Sequence, residues 1–438
     1  MTLSREQLEA HWMPFTGNRQ FKVQPRMMAS AKGAYYTDTQ GRKLFDALSG
    51  LWTCGLGHGR EEITAAVSTQ MSCLDYSPGF QYGHELSFEL ANKVVELTPS
   101  NLEYVFFTGS GSDAVDTALK MARGYWRSKG RPEKSKFIGR MKGYHGVNFG
   151  GLGVGGIEFN RKMFGQSVDA EHISDTLLDE NKFSRGMPAA GAYLADELEE
   201  LLQLHDASNI AGVIVEPLSG TAGVLPPPVG YLNRLREICD KHELLLIFDE
   251  VITGFGRMGS MTGAEEFGVA PDIMTLAKQI TNGTIPLAAV VVESDIYDSY
   301  MENGGPDYMV EFPHGYTYSA HPVACAAGIA ALDVLVDDKL LENVKSMSSK
   351  FEAAVHSLKG SPFVTDIRNY GLAAGISLEH YPDEPLRRPF ELGLKCLEKG
   401  FYVRWGGDTI QLAPPFIVDE KQIDDLINAV GESLHEFN

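Results

Sequence analysis

With 438 residues, 43% of them hydrophobic and 22% charged, the chain can bury a large core and has room for two or three domains, as a soluble globular protein would. A formal net charge of −20 with no basic run argues against nucleic acid or an anionic membrane as partner, because both demand clustered Lys and Arg. Cys54, Cys73, Cys239, Cys325 and Cys396 are widely spread, with no CxxC or His-linked spacing, so reduced packed thiols and no metal site are expected.

The chain starts MTLSREQLEAHW, polar where a signal peptide needs an apolar segment, and no long apolar span follows; the cytoplasm is the expected compartment. Residues 1–21 give a short helical pattern and the aromatic HWMPF. Residues 35–44 read as a hairpin turning at 39–41, followed by a Gly-punctuated loop that carries Trp52. Ile63, Ala66, Val67, Met71 and Leu74 recur at helical spacing, as do Leu86, Leu90, Ala91 and Val94, so two amphipathic helices flank the loop YSPGFQYGHE. Its Tyr76, Phe80 and Tyr82 are expected to cover something.

YVFF, TGSGSD and a helix over about 113–127 make a strand-turn-helix unit. KFIG at 136–139 leads into RMKGYHG and NFGGLGVGG, and residues 157–190 carry no clear pattern. A helix in ADELEELLQLH, a strand in IAGVIVEPL, a helix in YLNRLREICDKH and a strand in LLLIFDE then alternate, and PLAAVVVES is strand-like. Apolar strands alternating with helices imply an α/β fold, its mainly parallel sheet covered on both faces. Beyond an Ala-rich helix ending near 336, another helix, short strands around FVTDIRN, LAAGISL and FYVRWGGDTIQLAP, and a closing helix predict a smaller α+β domain. There is no internal repeat.

Ligands of such sheets bind at the carboxyl ends of the strands, where Asp249, Glu216 and the GSGSD turn fall. TGSGSDA fits G-x-G-x-x-G/A, but the next strand ends in Arg140 and Lys142 rather than a ribose-binding acid. What survives is a helix N-terminus able to cradle phosphate, or simply a tight turn capped by Ser. Asp249, closing a buried strand, needs a charged or hydrogen-bonding partner such as a protonated ring nitrogen, unless it is a plain N-cap. Lys278, among Leu276, Ala277 and Ile280, is placed for partial burial, which lowers an amine's pKa and suits Schiff-base chemistry; a surface Lys with a packed stem is the bland reading. Tyr144 offers an aromatic face or is a core residue. Thr317, in the polar GYTYSAHP, suggests a second phosphate contact or a subunit boundary. Arg404, framed by Val403 and Trp405, is either a surface Arg or a bidentate carboxylate clamp, neutralised by Glu216 when no substrate is bound.

Asp249, Lys278, the Ser-Gly-Ser turn, YHG and Thr317, in this order, resemble the class III aminotransferases of the pyridoxal-phosphate fold-type I group, over essentially the whole chain. IFDEVITGFGRMG with the LAK lysine at this distance is highly specific to that class. HWMPFT, LSGLWTCGLGH, LDYSPGFQYGH, HGVNFGG, NRKMFGQ, HDASNIAGVIVEP, GYTYSAHPVACAAG and YVRWGGDTIQLAP closely resemble the ω-amino acid–pyruvate (β-alanine–pyruvate) aminotransferases.

The resemblance implies pyridoxal 5′-phosphate as cofactor, bound covalently by Lys278, which then acts as general base and acid. It further implies Asp249 on the pyridine nitrogen, Tyr144 and Val251 on the two ring faces, and Ser110, Gly111 and Ser112 on the phosphate. Thr317 would reach in from a neighbouring subunit, so a homodimer is expected, with a tetramer as the alternative. Glu216 belongs to the same cofactor site. Arg404 would clamp the carboxylate of pyruvate or β-alanine and swing aside for neutral amines, leaving a pocket of Phe15, Trp52, Phe80, Tyr144 and Ala222. The implied domains are residues 1–75, contributing to the small domain and the site; 76–335, the large cofactor domain; and 336–438, the small domain.

The implied activity is transfer of an amino group from a terminal amine to pyruvate, giving alanine in a ping-pong cycle. Rivals that share Lys278 and Asp249 are an aminomutase, a decarboxylase or a 2-oxoglutarate-using aminotransferase. More distant ones are an NAD-binding dehydrogenase built on GSGSDA and a non-catalytic binding protein of the same fold.

Overall fold

The computed structural model describes residues 4–437 and builds three sheets. Near the N-terminus, β1 (Met28–Lys32), β2 (Tyr35–Asp38) and β3 (Lys43–Asp46) pair antiparallel. The central sheet gathers β4 (Leu102–Thr108), β5 (Lys136–Arg140), β6 (Ala170–Ile173), β7 (Ile210–Val215), β8 (Leu245–Asp249), β9 (Ile273–Leu276) and β10 (Ala288–Glu293), in the order β4-β10-β9-β8-β7-β5-β6. Pairings from β6 through β9 are parallel; only β10 runs against its neighbours. This is the α/β arrangement expected from the alternation of strands and helices.

The third sheet, β11-β12-β15-β14, uses β11 (Val364–Tyr370), β12 (Ala373–Leu378), β14 (Arg404–Gly406) and β15 (Thr409–Leu412). Between them in sequence, β13 (Phe401–Tyr402) pairs parallel with β3. The C-terminal hundred residues thus complete the N-terminal sheet, and the segment after β3 is held from both sides.

The central strands are apolar throughout because both their faces are covered. Val213, Val215, Leu246, Phe248 and Met274 enter one buried cluster, while Ile214, Leu245, Ile247 and Ile273 alternate into another beneath helix Gly111–Ser128. Each such side chain contributes about 1.5–3 kcal/mol on burial. That helix begins where Ser110 accepts the Asp113 N–H, and it presents Ala114, Ala118 and Ala122 to the sheet at four-residue spacing.

Three stretches depart from the sequence reading. The N-terminal pattern is two short helices, Arg5–Glu9 and Asn18–Val23, and residues 1–3 of that expectation lie outside the described residues. NFGGLGVGG contains a helix, Phe149–Val154, and the patternless stretch holds helix Glu158–Phe164 and edge strand β6. Tyr76, Phe80 and Tyr82 are exposed rather than covering a core of this chain. Among the described residues no helix is long and apolar enough to cross a membrane, and no His, Cys, Asp and Glu group could hold a metal ion.

Candidate active site

At the carboxyl edge of β8 and β9 a cavity of about 300 Å³ opens, lined by eight of the predicted residues: Ser110, Gly111, Ser112, Tyr144, Glu216, Asp249, Val251 and Lys278. Strand register explains the acid's position. Asp249 is opposite Thr275, whose Oγ1 donates to Asp249 Oδ1 at 3.3 Å, and the Val251 N–H donates to the same oxygen at 3.1 Å. His145 Nδ1 lies 2.8 Å from Oδ2, both side chains being buried. With the carboxylate as acceptor, Nδ1 carries the hydrogen.

The neighbouring acid has a different job. Glu250 is fully buried and accepts from Thr253 Oγ1 and from the Gly263 and Ala264 N–H groups, so it caps helix Gly263–Phe267. Burial still pushes its carboxyl up to about 6. Asp249 is therefore the acid of the DE pair that faces the cavity.

Lys278 follows β9 with a left-handed backbone, φ 49°. Burial pushes its ammonium down to about 8; Asp249 and Glu216 oppose the shift, and the Arg404 charge adds to it. A free-amine fraction of roughly a tenth near pH 7 is the consequence. Glu216 accepts from the Tyr144 N–H at 3.0 Å, from Ser219 Oγ at 3.2 Å and from the Gly220 N–H at 3.2 Å. Burial, reinforced by Asp249, holds its carboxyl above the usual range. The expected Glu216–Arg404 pair is not formed, because these local donors satisfy Glu216.

Gly111 begins the helix whose N–H groups open on the cavity. A Cβ there would lie 3.0 Å from the Val251 methyls, and one on Gly146 would lie 2.5 Å from Ser112 Oγ. The Ser110 hydroxyl donates to Asp113 at 2.8 Å, and Ser112 Oγ accepts the Val147 N–H at 3.1 Å.

The remaining predicted residues do not line this cavity. Thr317 is exposed, its carbonyl accepting from the Tyr76 hydroxyl at 3.0 Å. Phe15 and Phe80 are 73% and 55% exposed, and Ala222 is half-buried. Trp52, with φ 64°, is only 3% exposed and packs in a cluster with Leu48, Leu218, Val224 and Ile252, of which Ile252 lines the cavity. Arg404 is half-buried on β14, and its Nε is buried without a partner. Sequence reasoning passed over His145 although YHG was singled out, and it missed Thr53 and Thr281, which also line the cavity.

An N–H-rich helix end, a buried carboxylate, an amine with a depressed pKa and two flanking side chains can hold a flat, anionic, nitrogen-containing ring. Residues 16–434 match the family model described as Aminotransferase class-III. The chain is 58% identical to a β-alanine–pyruvate aminotransferase of Pseudomonas aeruginosa, covering 98% of this chain and 96% of that protein. It is 56% identical to an ω-amino acid–pyruvate aminotransferase of Pseudomonas putida, covering 99% and 97%. An amine transaminase from an uncultivated Pseudomonas species, solved with PLP bound, superposes with a TM-score of 0.91 at 33% identity, covering 98% of this chain and 99% of that one.

Proposed function

The chain belongs to the class III aminotransferases, and from that premise we propose that it moves an amino group from β-alanine, or another terminal amine, to pyruvate, giving L-alanine. Aminotransferases of this class use pyridoxal phosphate, and the cavity suits that group. Its helix N-terminus favours a phosphate, its buried Asp249 a protonated ring nitrogen, and its Lys278 amine a carbonyl carbon. The convergence of these three in one cavity carries the reading.

Pyridoxal phosphate, when bound, supplies a carbon that accepts the amino group and a ring that takes up the electron pair left when the adjacent C–H bond breaks. Lys278 would hold the group covalently, and its free Nζ would take the substrate proton and return it. Asp249, oriented by His145 and Thr275, keeps the ring nitrogen protonated. Ser110, Gly111 and Ser112 hold the phosphate. Tyr144 and Val251 enclose the ring, and Glu216 fixes the Tyr144 backbone. The orphan donor of Arg404 takes the carboxylate of pyruvate or β-alanine, and the side chain swings aside for a neutral amine, leaving a pocket lined by Phe15, Trp52, Phe80, Tyr144 and Ala222.

A homodimer completes the site: Thr317 of one copy reaches the phosphate of the other. The exposed Tyr76, Phe80, Tyr82 and Tyr318 are apolar surface that a second copy would cover. The enzyme is cytoplasmic. Its domains are residues 1–75, 76–335 and 336–438, a division supported by a central sheet that begins at Leu102 and ends at Glu293.

The test is chromatography of products from the purified, cofactor-loaded protein given β-alanine with pyruvate or with 2-oxoglutarate. Alanine from the pyruvate reaction is expected. Glutamate alone, or a decarboxylated or rearranged amine, would overturn the pyruvate assignment.

A further inference from the structure

Lys278 opens a 3-10 turn, Lys278–Thr281, which Asn282 closes. Both ends are left-handed, φ 49° and φ 51°, and neither is glycine. Asn tolerates that conformation, but a Lys resists it, so the Lys278 end of the turn is held by contacts from outside.

Segment 46–58 supplies them. The Gly55 N–H donates to Gln279 Oε1 at 2.8 Å and the Leu56 N–H to Asn282 Oδ1 at 3.0 Å, while Asn282 Nδ2 donates to the Gly57 carbonyl at 2.9 Å. Asn282 thus engages a donor and an acceptor of one backbone strap, as a neighbouring strand would. The fit is close: a Cβ on Gly55 would lie 2.4 Å from Gln279 Oε1, and one on Gly283 would lie 2.9 Å from Thr53 Oγ1.

The strap is itself anchored on three sides. Asp46 accepts the Leu48 and Gly50 N–H groups and pairs with His58 Nε2 at 2.7 Å. Ser49 Oγ donates to the Ala413 carbonyl at 2.7 Å and accepts from Arg257 Nη2 at 3.0 Å. Ser49 and Trp52 are left-handed as well, φ 50° and φ 64°. Four non-glycine residues with positive φ therefore sit in two interlocked loops, and Thr53 and Lys278, one from each, line the same cavity.

We propose that Asn282 is a positioning residue for Lys278: by bonding both Leu56 and Gly57 it holds the strained turn that keeps the Lys278 amine in the cavity. The inference rests on the reading of Lys278 as the cofactor-binding amine. A loosened turn would admit water to the amine and let its side chain leave the cofactor carbon, so attachment slows and its pH dependence moves; loss of fold stability alone does neither.

The experiment strips the full chain of cofactor, adds pyridoxal phosphate at a series of pH values, traps the adduct with borohydride and maps it by peptide mass. Wild type should be labelled at Lys278. Asn282→Ala should be labelled about tenfold more slowly, with a midpoint above the wild-type value near 8. Asn282→Asp, which keeps the acceptor for the Leu56 N–H and loses the donor to Gly57, should fall between them. Leu198→Ala, a cavity in helix Glu197–His205, which packs against β6, should lower the melting temperature and leave rate and midpoint unchanged. Label absent from Lys278 in wild type would overturn the reading of Lys278 itself. Label at Lys278 with wild-type rate and midpoint in Asn282→Ala would overturn only the role of Asn282; if that variant does not fold, the same result for Asn282→Asp does so.

Discussion

His145 Nδ1 and Asp249 Oδ2 are 2.8 Å apart in the buried wall of the cavity, and the other ring nitrogen of His145, Nε2, is buried with no hydrogen-bond partner. A carboxylate held this way keeps one orientation toward the cavity. His145→Phe fills the same space without the bond. A hydrogen bond to a charged group contributes about 1.5–3 kcal/mol, so pyridoxal phosphate affinity should fall roughly ten- to a hundredfold. Absorbance titration of the cofactor-free protein measures it, and unchanged affinity would remove His145 from the site's electrostatics.

Lys278 makes a stability prediction with a definite sign. Its folded pKa is lowered to about 8 from an ordinary 10.5, chiefly by burial. Below about 8 the folded chain carries the whole cost of a buried ammonium, ~3 kcal/mol. Between 8 and 10.5 the unfolded chain holds more protons, so the cost shrinks as pH rises. Cofactor-free Lys278→Met should therefore be more stable than cofactor-free wild type near neutral pH, the gap closing toward pH 10.5. Urea unfolding of both across that range gives the answer; a constant gap would mean that the amine is not buried as a cation.

The strands that carry Asp249 and Lys278 were legible because β7, β8 and β9 are covered on both faces, which leaves an unbroken apolar signature. Asp249 and Lys278 stood out as the polar residues that end such runs. Glu250, next to Asp249 in sequence, turns to its own backbone donors, since which way a side chain points at a strand end is settled by register and by the following loop. His145 carries no spacing signal beside Tyr144. Helix Glu158–Phe164 exposes Phe159, Met163 and Phe164, so its apolar side does not face this chain's core and no inward periodicity marks it. The left-handed backbone of Trp52 and the cluster that receives its ring are long-range facts. The Asn282 bonds to Leu56 and Gly57 join residues more than two hundred positions apart.

Asp46 and His58 supply a second pH dependence, of opposite sign. Burial opposes the charged imidazole, but the hydrogen bond it donates to Asp46, the contact with Cys54 and the charges of both partners together outweigh burial and raise His58 to about 9 from 6.5. The pair's stabilisation is then complete below about 6.5 and is lost as pH rises through about 9. The difference is about 2–3 kcal/mol. Asp46→Asn should flatten that slope and, by freeing the Gly50 N–H from a charged acceptor, destabilise the protein most at the acid end. Denaturant midpoints of both proteins near pH 6 and pH 9.5 check this; parallel slopes would contradict it.

Arg404 is where substrate choice can be tested. On β14 its backbone pairs with Gln411 of β15, and its buried Nε has no partner. A guanidinium in that state favours a planar carboxylate, which offers two acceptors to its fork. Removing it from the site of a carboxylate substrate should cost about 1.5–3 kcal/mol. Arg404→Leu is thus expected to raise KM for pyruvate and for β-alanine about ten- to a hundredfold, while the half-reaction with a neutral arylalkylamine keeps its limiting rate at alkaline pH. The same substitution also removes a positive charge that helps depress Lys278, so the alkaline-rising limb of that half-reaction should move to higher pH. Stopped-flow cofactor absorbance with both donors reads the two effects separately. Equal weakening of the acid and of the neutral amine would show that Arg404 shapes the pocket rather than recognising a carboxylate.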